Sequence, residues 1–178
     1  MTARPWLMMT GLATLAAVTL AAAPLTAQGQ GSGRGRMGGM AMDAAAQADM
    51  QVFHALIDQR AQIVRKVTPR PNGVETVTES DDPAVAKLIR THVEAMSARV
   101  KEARPIHLRD PLFAEVFKHA DKIALEMEAT PKGIRVVETS TDAYTVKLIQ
   151  AHADVVSLFL ANGRAEMMKN HAVPARDK

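Results

Sequence analysis

The chain has 178 residues, of which 47% are apolar and only 3% aromatic, and a formal net charge of +3. That length suits one ordinary domain or two very small ones, with a core built of Val, Ile, Leu, Ala and Met. Cysteine is absent, which excludes disulfides, thiolate metal sites, covalent c-type haem attachment and cysteine nucleophiles, and argues against a lipoprotein anchor.

Arg4 precedes a nearly uncharged apolar stretch from Leu7 to Ala23, and Pro24-Leu25-Thr26-Ala27 ends on a small residue. This is the order of a secretory signal peptide, residues 1–27, cleaved near Ala27. The apolar run is short for a bilayer span, and no later segment is apolar enough to make one. The expected location is the periplasm or the exterior. Removing Arg4 from the 22 Lys and Arg leaves 21 against 19 Asp and Glu, a net of +2. The calculated pI of 9.4 is therefore thin support for a nucleic-acid partner. No Lys/Arg block with interleaved aromatics adds to it.

Residues 28–48 are rich in Gly, Ala, Gln and Met and carry no large branched apolar side chain. Such a segment buries too little surface to offset its ordering entropy and reads as a flexible linker. Residues 49–174 then form a single domain.

That domain reads as one unit written twice. Setting each residue from 53–104 against the one 60 positions later, in 113–164, gives 13 identities in 52 positions without a gap. They include Phe53 with Phe113, Gly73 with Gly133, Asp82 with Asp142, Lys87-Leu88-Ile89 with Lys147-Leu148-Ile149, and His92 with His152. An internal repeat decides the architecture before any single element does.

The elements follow in the same order in each copy. The apolar spacing of Phe53, Leu56, Ile57 and Ile63, and of Phe113, Val116, Phe117 and Ile123, predicts a helix. Two short strands come next, 64–68 with 74–78 and 124–128 with 134–138, around turns ending in Gly73 and Gly133. Those glycines are expected to supply the positive φ of a tight hairpin. A long helix opens at Asp82-Pro83 and at Asp142-Ala143, where Asp is a good N-cap and Pro suits the first helical position. It runs to about Ala103 and Ala161, and a last short helix covers 165–170. The expected fold is α+β: a tandem duplication of an α-β-β-α unit forming one four-stranded antiparallel sheet, pseudo-twofold symmetric, with the helices packed on it.

His92 and His152 lie inside the apolar stripes of the long helices, with Val85, Leu88, Ile89, Met96 and Val100 in one and Leu148, Ile149, Val156 and Phe159 in the other. A buried imidazole must satisfy its ring nitrogens. As symmetry mates, the two could hold a transition metal such as copper or zinc, or a non-covalent haem. Met96 and His107 are the neighbours placed to help. Met167, Met168 and His171 form a second candidate group, since thioether with imidazole favours Cu(I); Met37, Met40, Met42 and Met50 extend the Met-rich pattern. There is no Gly-rich phosphate loop, nucleophile elbow or His-Glu-x-x-His, so a catalytic reading with a His base ranks last. The sequence reading is a non-catalytic periplasmic binding protein, its partner a metal ion, a small ligand or another periplasmic protein, with a homodimer open to it. The alternative is a structural or interaction domain whose histidines are core packing.

Overall fold

The computed structural model describes residues 44–176. The expected signal peptide, residues 28–43 of the expected linker, and Met37, Met40 and Met42 lie outside the described residues. Helix α1 spans Ala44–Asp58 and so begins inside the segment read as linker. Ala44-Ala45-Ala46-Gln47-Ala48 is made of strong helix formers, and Ala46 is buried. Asp49, one residue past that boundary, accepts a 2.6 Å hydrogen bond from Arg99 Nε, which fastens α1 to the fold.

A 3₁₀ turn (Arg60–Gln62) leads into strands β1 (Val64–Arg70) and β2 (Gly73–Glu79), then helix α2 (Pro83–Lys101). Helix α3 (Pro111–Lys118), a 3₁₀ turn (Ala120–Lys122), β3 (Ala124–Thr130), β4 (Gly133–Thr139) and α4 (Ala143–Asn162) follow, closed by the short α5 (Arg164–Met167). The first helix of each half therefore stops before the 3₁₀ turn, short of Ile63 and Ile123. The long helices begin at the expected caps: Asp82 accepts from Ala84 N at 2.7 Å, and Asp142 from Thr145 N at 2.8 Å.

The chain is thus α+β, with one antiparallel sheet in the order β1-β2-β4-β3. In the central pair Gly73 meets Thr139, Thr76 meets Val136 and Glu79 meets Gly133. Helix α2 packs on β4 and helix α4 on β2. Val85 and Ile89 of α2 join Ile134 and Val136 in one buried cluster; Ile149 and Ala153 of α4 join Val74 in another. The opposite face of the sheet is charged. Glu75 there pairs with both Arg70 and Arg135, and Arg135 also reaches Glu128.

The glycines need a different explanation from the one their sequence position suggests. Gly133 does not have a positive φ, and Gly73 at 159° is at the extended limit. The two-residue turns Pro71-Asn72 and Pro131-Lys132 bend without them. What requires glycine is the close approach of β2 to β4. A Cβ on Gly73 would overlap the Glu138 carbonyl, and one on Gly133 would overlap that of Thr78. The glycine that does need a left-handed backbone is Gly163, at φ 65°, which ends α4.

Candidate functional site

A cavity of about 190 Å³ lies where α1, α2, α3, α4 and the connector between the halves face the sheet. His92, His152, Met96 and His107, the four residues put forward as a site from sequence, all line it, and Met50 of α1 does too. The chain has four phenylalanines, and Phe53, Phe113, Phe117 and Phe159 all line this cavity. A sequence this poor in aromatics has concentrated them around one space.

Each long-helix histidine packs on the phenylalanine of its own half. His92 stacks on Phe53 with ring centroids 5.5 Å apart and planes 24° off parallel. His152 meets Phe113 edge to face at 5.1 Å and 79°. His107 also meets Phe113 edge to face, at 5.0 Å, from a backbone held at φ 59°. Such ring geometries add about 0.5–1.5 kcal/mol beyond the area buried.

Burial governs the electrostatics. It pushes the His92 imidazole down to about 4 against a smaller opposing pull from Asp49. His152 is pushed down to about 4 by burial first, then by the charges of Arg65 and His92. His107 is lowered mainly by burial. Both long-helix imidazoles are thus neutral at pH 7, and the His92 Nδ1 is buried without a hydrogen-bond partner. Leaving such a group unpaired costs about 1–3 kcal/mol, so something must recover that elsewhere.

Two further residues of the cavity were not found from the sequence. Arg65 projects from β1, donates from Nη1 to Thr78 Oγ1 at 2.8 Å, and keeps a buried, unpaired Nε. Glu138 projects from β4 into the same space. Burial raises its carboxyl to about 7, against the opposing charge of Arg65. Identity between the halves marks neither, because their counterparts 60 residues on or back are Leu125 and Thr78. The signal was strand alternation: residues 134, 136 and 138 share one face, and Ile134 and Val136 are buried on it.

The second candidate group does not assemble into an open site. Met168 is 67% exposed, Met167 packs against the core around Phe159, and both ring nitrogens of His171 are engaged. Nδ1 lies 2.5 Å from the Asp110 carboxylate and Nε2 lies 3.1 Å from that of Glu166. Burial disfavours the charged His171 ring, but its hydrogen bonds to Asp110 and Glu166 outweigh burial and raise its pKa. This cluster fastens the C-terminal segment to the start of α3, where Asp110 also caps Leu112 N.

Among the described residues no three His, Asp or Glu side chains converge as a metal cluster would require. Nor is any helix among them long and apolar enough to cross a membrane. Compared with known proteins, the chain matches no family model, and no curated protein or solved structure shows significant similarity to it.

Proposed function

We propose that this is an exported, non-catalytic binding protein that holds a small organic ligand in the cavity between His92 and His152. The observation that carries the reading is the joining of matched sequence positions in one mostly apolar cavity that contains a buried polar atom without a partner. An ordinary core fills such a space and satisfies such an atom. The volume supports a small ligand: about 190 Å³ exceeds the ~150 Å³ of an apolar cavity that admits benzene. It falls below the ~300–1,000 Å³ of drug-sized sites, and a porphyrin needs more, so the haem form of the reading is set aside.

The reading includes the duplication. It is supported by the central register, in which Thr76 lies opposite Val136, its own counterpart, and by the matching caps and glycines. Export is supported by the leader-like order of residues 1–27 alone.

The test is a titration of the purified protein with indole and toluene, followed by melting temperature and by NMR shifts. A ligand at 100 times its Kd stabilises by about 2.7 kcal/mol. Val156 lines the cavity, and Val156→Phe should abolish the response while the fold persists by circular dichroism. An unchanged response in Val156→Phe would sink the proposal. Met96 lies one helical turn from His92 on the same cavity wall, which favours a second reading: Cu(I) held by two neutral imidazoles and a thioether. Cu(I) binding lost in a His92→Ala/His152→Ala variant would select that one.

A further inference from the structure

We infer that the ligand is a small aromatic carboxylic acid, its ring among the phenylalanines and its carboxylate on Arg65 and His92, with Glu138 coupling its capture to proton uptake. The inference rests on the binding reading above and adds the ligand's chemical class.

Size and lining set the apolar part. The space admits a single six-membered ring with a short substituent. Phe53, Phe113, Phe117 and Phe159 around it offer faces and edges to another ring, the arrangement in which aromatic pairs gain most. An inorganic anion would leave these walls unfilled.

The polar part is set by what lacks a partner. Arg65 spends Nη1 on Thr78, and its buried Nε has no partner. A carboxylate can accept from that Nε and from the adjacent Nη2 with two parallel hydrogen bonds. His92, neutral and unpaired at Nδ1, supplies another donor when its proton is on that nitrogen. Ser97, which lines the same cavity, also has a buried hydroxyl without a partner. An aromatic hydrocarbon would leave these donors unpaired, a neutral hydroxyl would satisfy fewer of them than a carboxylate, and a cation would meet the Arg65 charge.

Glu138 decides when an anion can enter. The ionisable groups around the cavity are Asp49 from α1, Arg65 from β1, His92 from α2, His107 from the connector, His152 from α4, and Glu138 itself. Asp49 is committed to Arg99, His92 and His152 are neutral, and burial disfavours the charged form of His107, so the charge is set chiefly by Arg65 and Glu138. An ionised Glu138 neutralises Arg65 and repels a second carboxylate. A protonated one leaves Arg65 uncompensated. With the Glu138 carboxyl raised by burial to about 7, the acid-binding form is the protonated one, and binding takes up a proton.

The experiment is calorimetric titration of the purified protein with benzoate, which stays ionised from pH 6 to 8, and with the neutral isostere benzyl alcohol. Benzoate should bind at least tenfold tighter than benzyl alcohol at pH 6. Its affinity should fall about tenfold by pH 8, following the protonated fraction of Glu138. Glu138→Gln should keep the pH 6 affinity and lose the pH dependence. Arg65→Met should lose at least tenfold for benzoate and keep benzyl alcohol; should that variant not fold, the Glu138→Gln profile carries the test. Benzyl alcohol binding as tightly as benzoate, and lost in Val156→Phe, would overturn the acid class while leaving the cavity reading intact. Failure of benzoate, benzyl alcohol, indole and toluene alike would overturn both. A pH profile unchanged in Glu138→Gln would overturn the proton coupling.

Discussion

The histidines and Glu138 make opposite demands on pH, and the balance can be worked out. His92 and His152 have pKa values depressed from 6.5 to about 4, so their stabilisation is present above about 6.5 and is lost as pH falls toward 4. Glu138 is raised from 4.5 to about 7. The folded state favours its protonated form, so its contribution is full below about 4.5 and is lost as pH rises toward 7. Between pH 4.5 and 6.5 the unfolded chain binds two protons more at the histidines and one fewer at Glu138, a net of one. Stability should then rise with pH at about 1.4 kcal/mol per unit from these three groups. Glu138→Gln removes the opposing proton and should steepen the slope by about 1.4 kcal/mol per unit. A His92→Gln/His152→Gln variant should shift it by about 2.7 in the other direction, enough to reverse the sign of this contribution. His107, also lowered by burial, adds in the histidines' sense in all three proteins and drops out of the differences. The assay is urea unfolding followed by far-ultraviolet circular dichroism at half-unit intervals across the window. Equal slopes in the three proteins would refute the burial of these groups as described.

Other perturbations test the frame around the cavity. Gly133→Ala should destabilise by more than about 3 kcal/mol, the range of severe mutations, because its Cβ meets the Thr78 carbonyl across β2–β4; a soluble variant melting within a few degrees of the parent would contradict the close approach. Asp49→Ala leaves Arg99, 2% exposed, without its carboxylate, and should cost about 3 kcal/mol, read as a lowered urea midpoint. His171→Ala leaves Asp110 and Glu166, 1% and 3% exposed, without their shared cation; trypsin should then cut at Lys169 or Arg176 faster than in the parent. Because the His171 pKa is raised, the parent's own tail should be held below about pH 6.5 and loosen as pH rises above it; protection independent of pH from 6 to 9 would count against the ion pairs.

The sheet, both hairpins and the two capped helices were legible because each rests on local chemistry. Asp82 and Asp142 announce helix starts, and strand-length apolar segments flank both proline turns. Where the fold departs from the sequence pattern, tertiary packing is the reason. The alanine run before Asp49 has strong helix formers, but what fixes it to the domain is the Asp49–Arg99 bond and the burial of Ala46, and no apolar periodicity marks that. Gly73 and Gly133 stand out in the sequence by their place after the proline turns, but the carbonyl that forbids a side chain lies on a strand 65 and 55 residues away, respectively. In the cavity, the apolar stripes located His92, His152 and Met96. They said nothing of the four phenylalanines meeting there, because those come from three different helices.

Arg65 and Glu138 are charged residues of the cavity whose counterparts 60 positions away, Leu125 and Thr78, are uncharged. On the proposed duplication, the cavity lies where the two halves meet, and a strictly symmetric pair would have placed two arginines or two carboxylates in it. Like charges buried together raise one another's cost, so a charged centre at such a meeting point is held most readily when the halves differ. The observed pattern has that form: Arg65 faces the cavity from the first half where the second has Leu125, and Glu138 from the second where the first has Thr78. His92 and His152, neutral when buried, can stand at matching positions because they carry no charge to repel. Phe53 with Phe113 and His92 with His152 match across the halves around the cavity, while Arg65 and Glu138, which set its charge, stand at positions that differ.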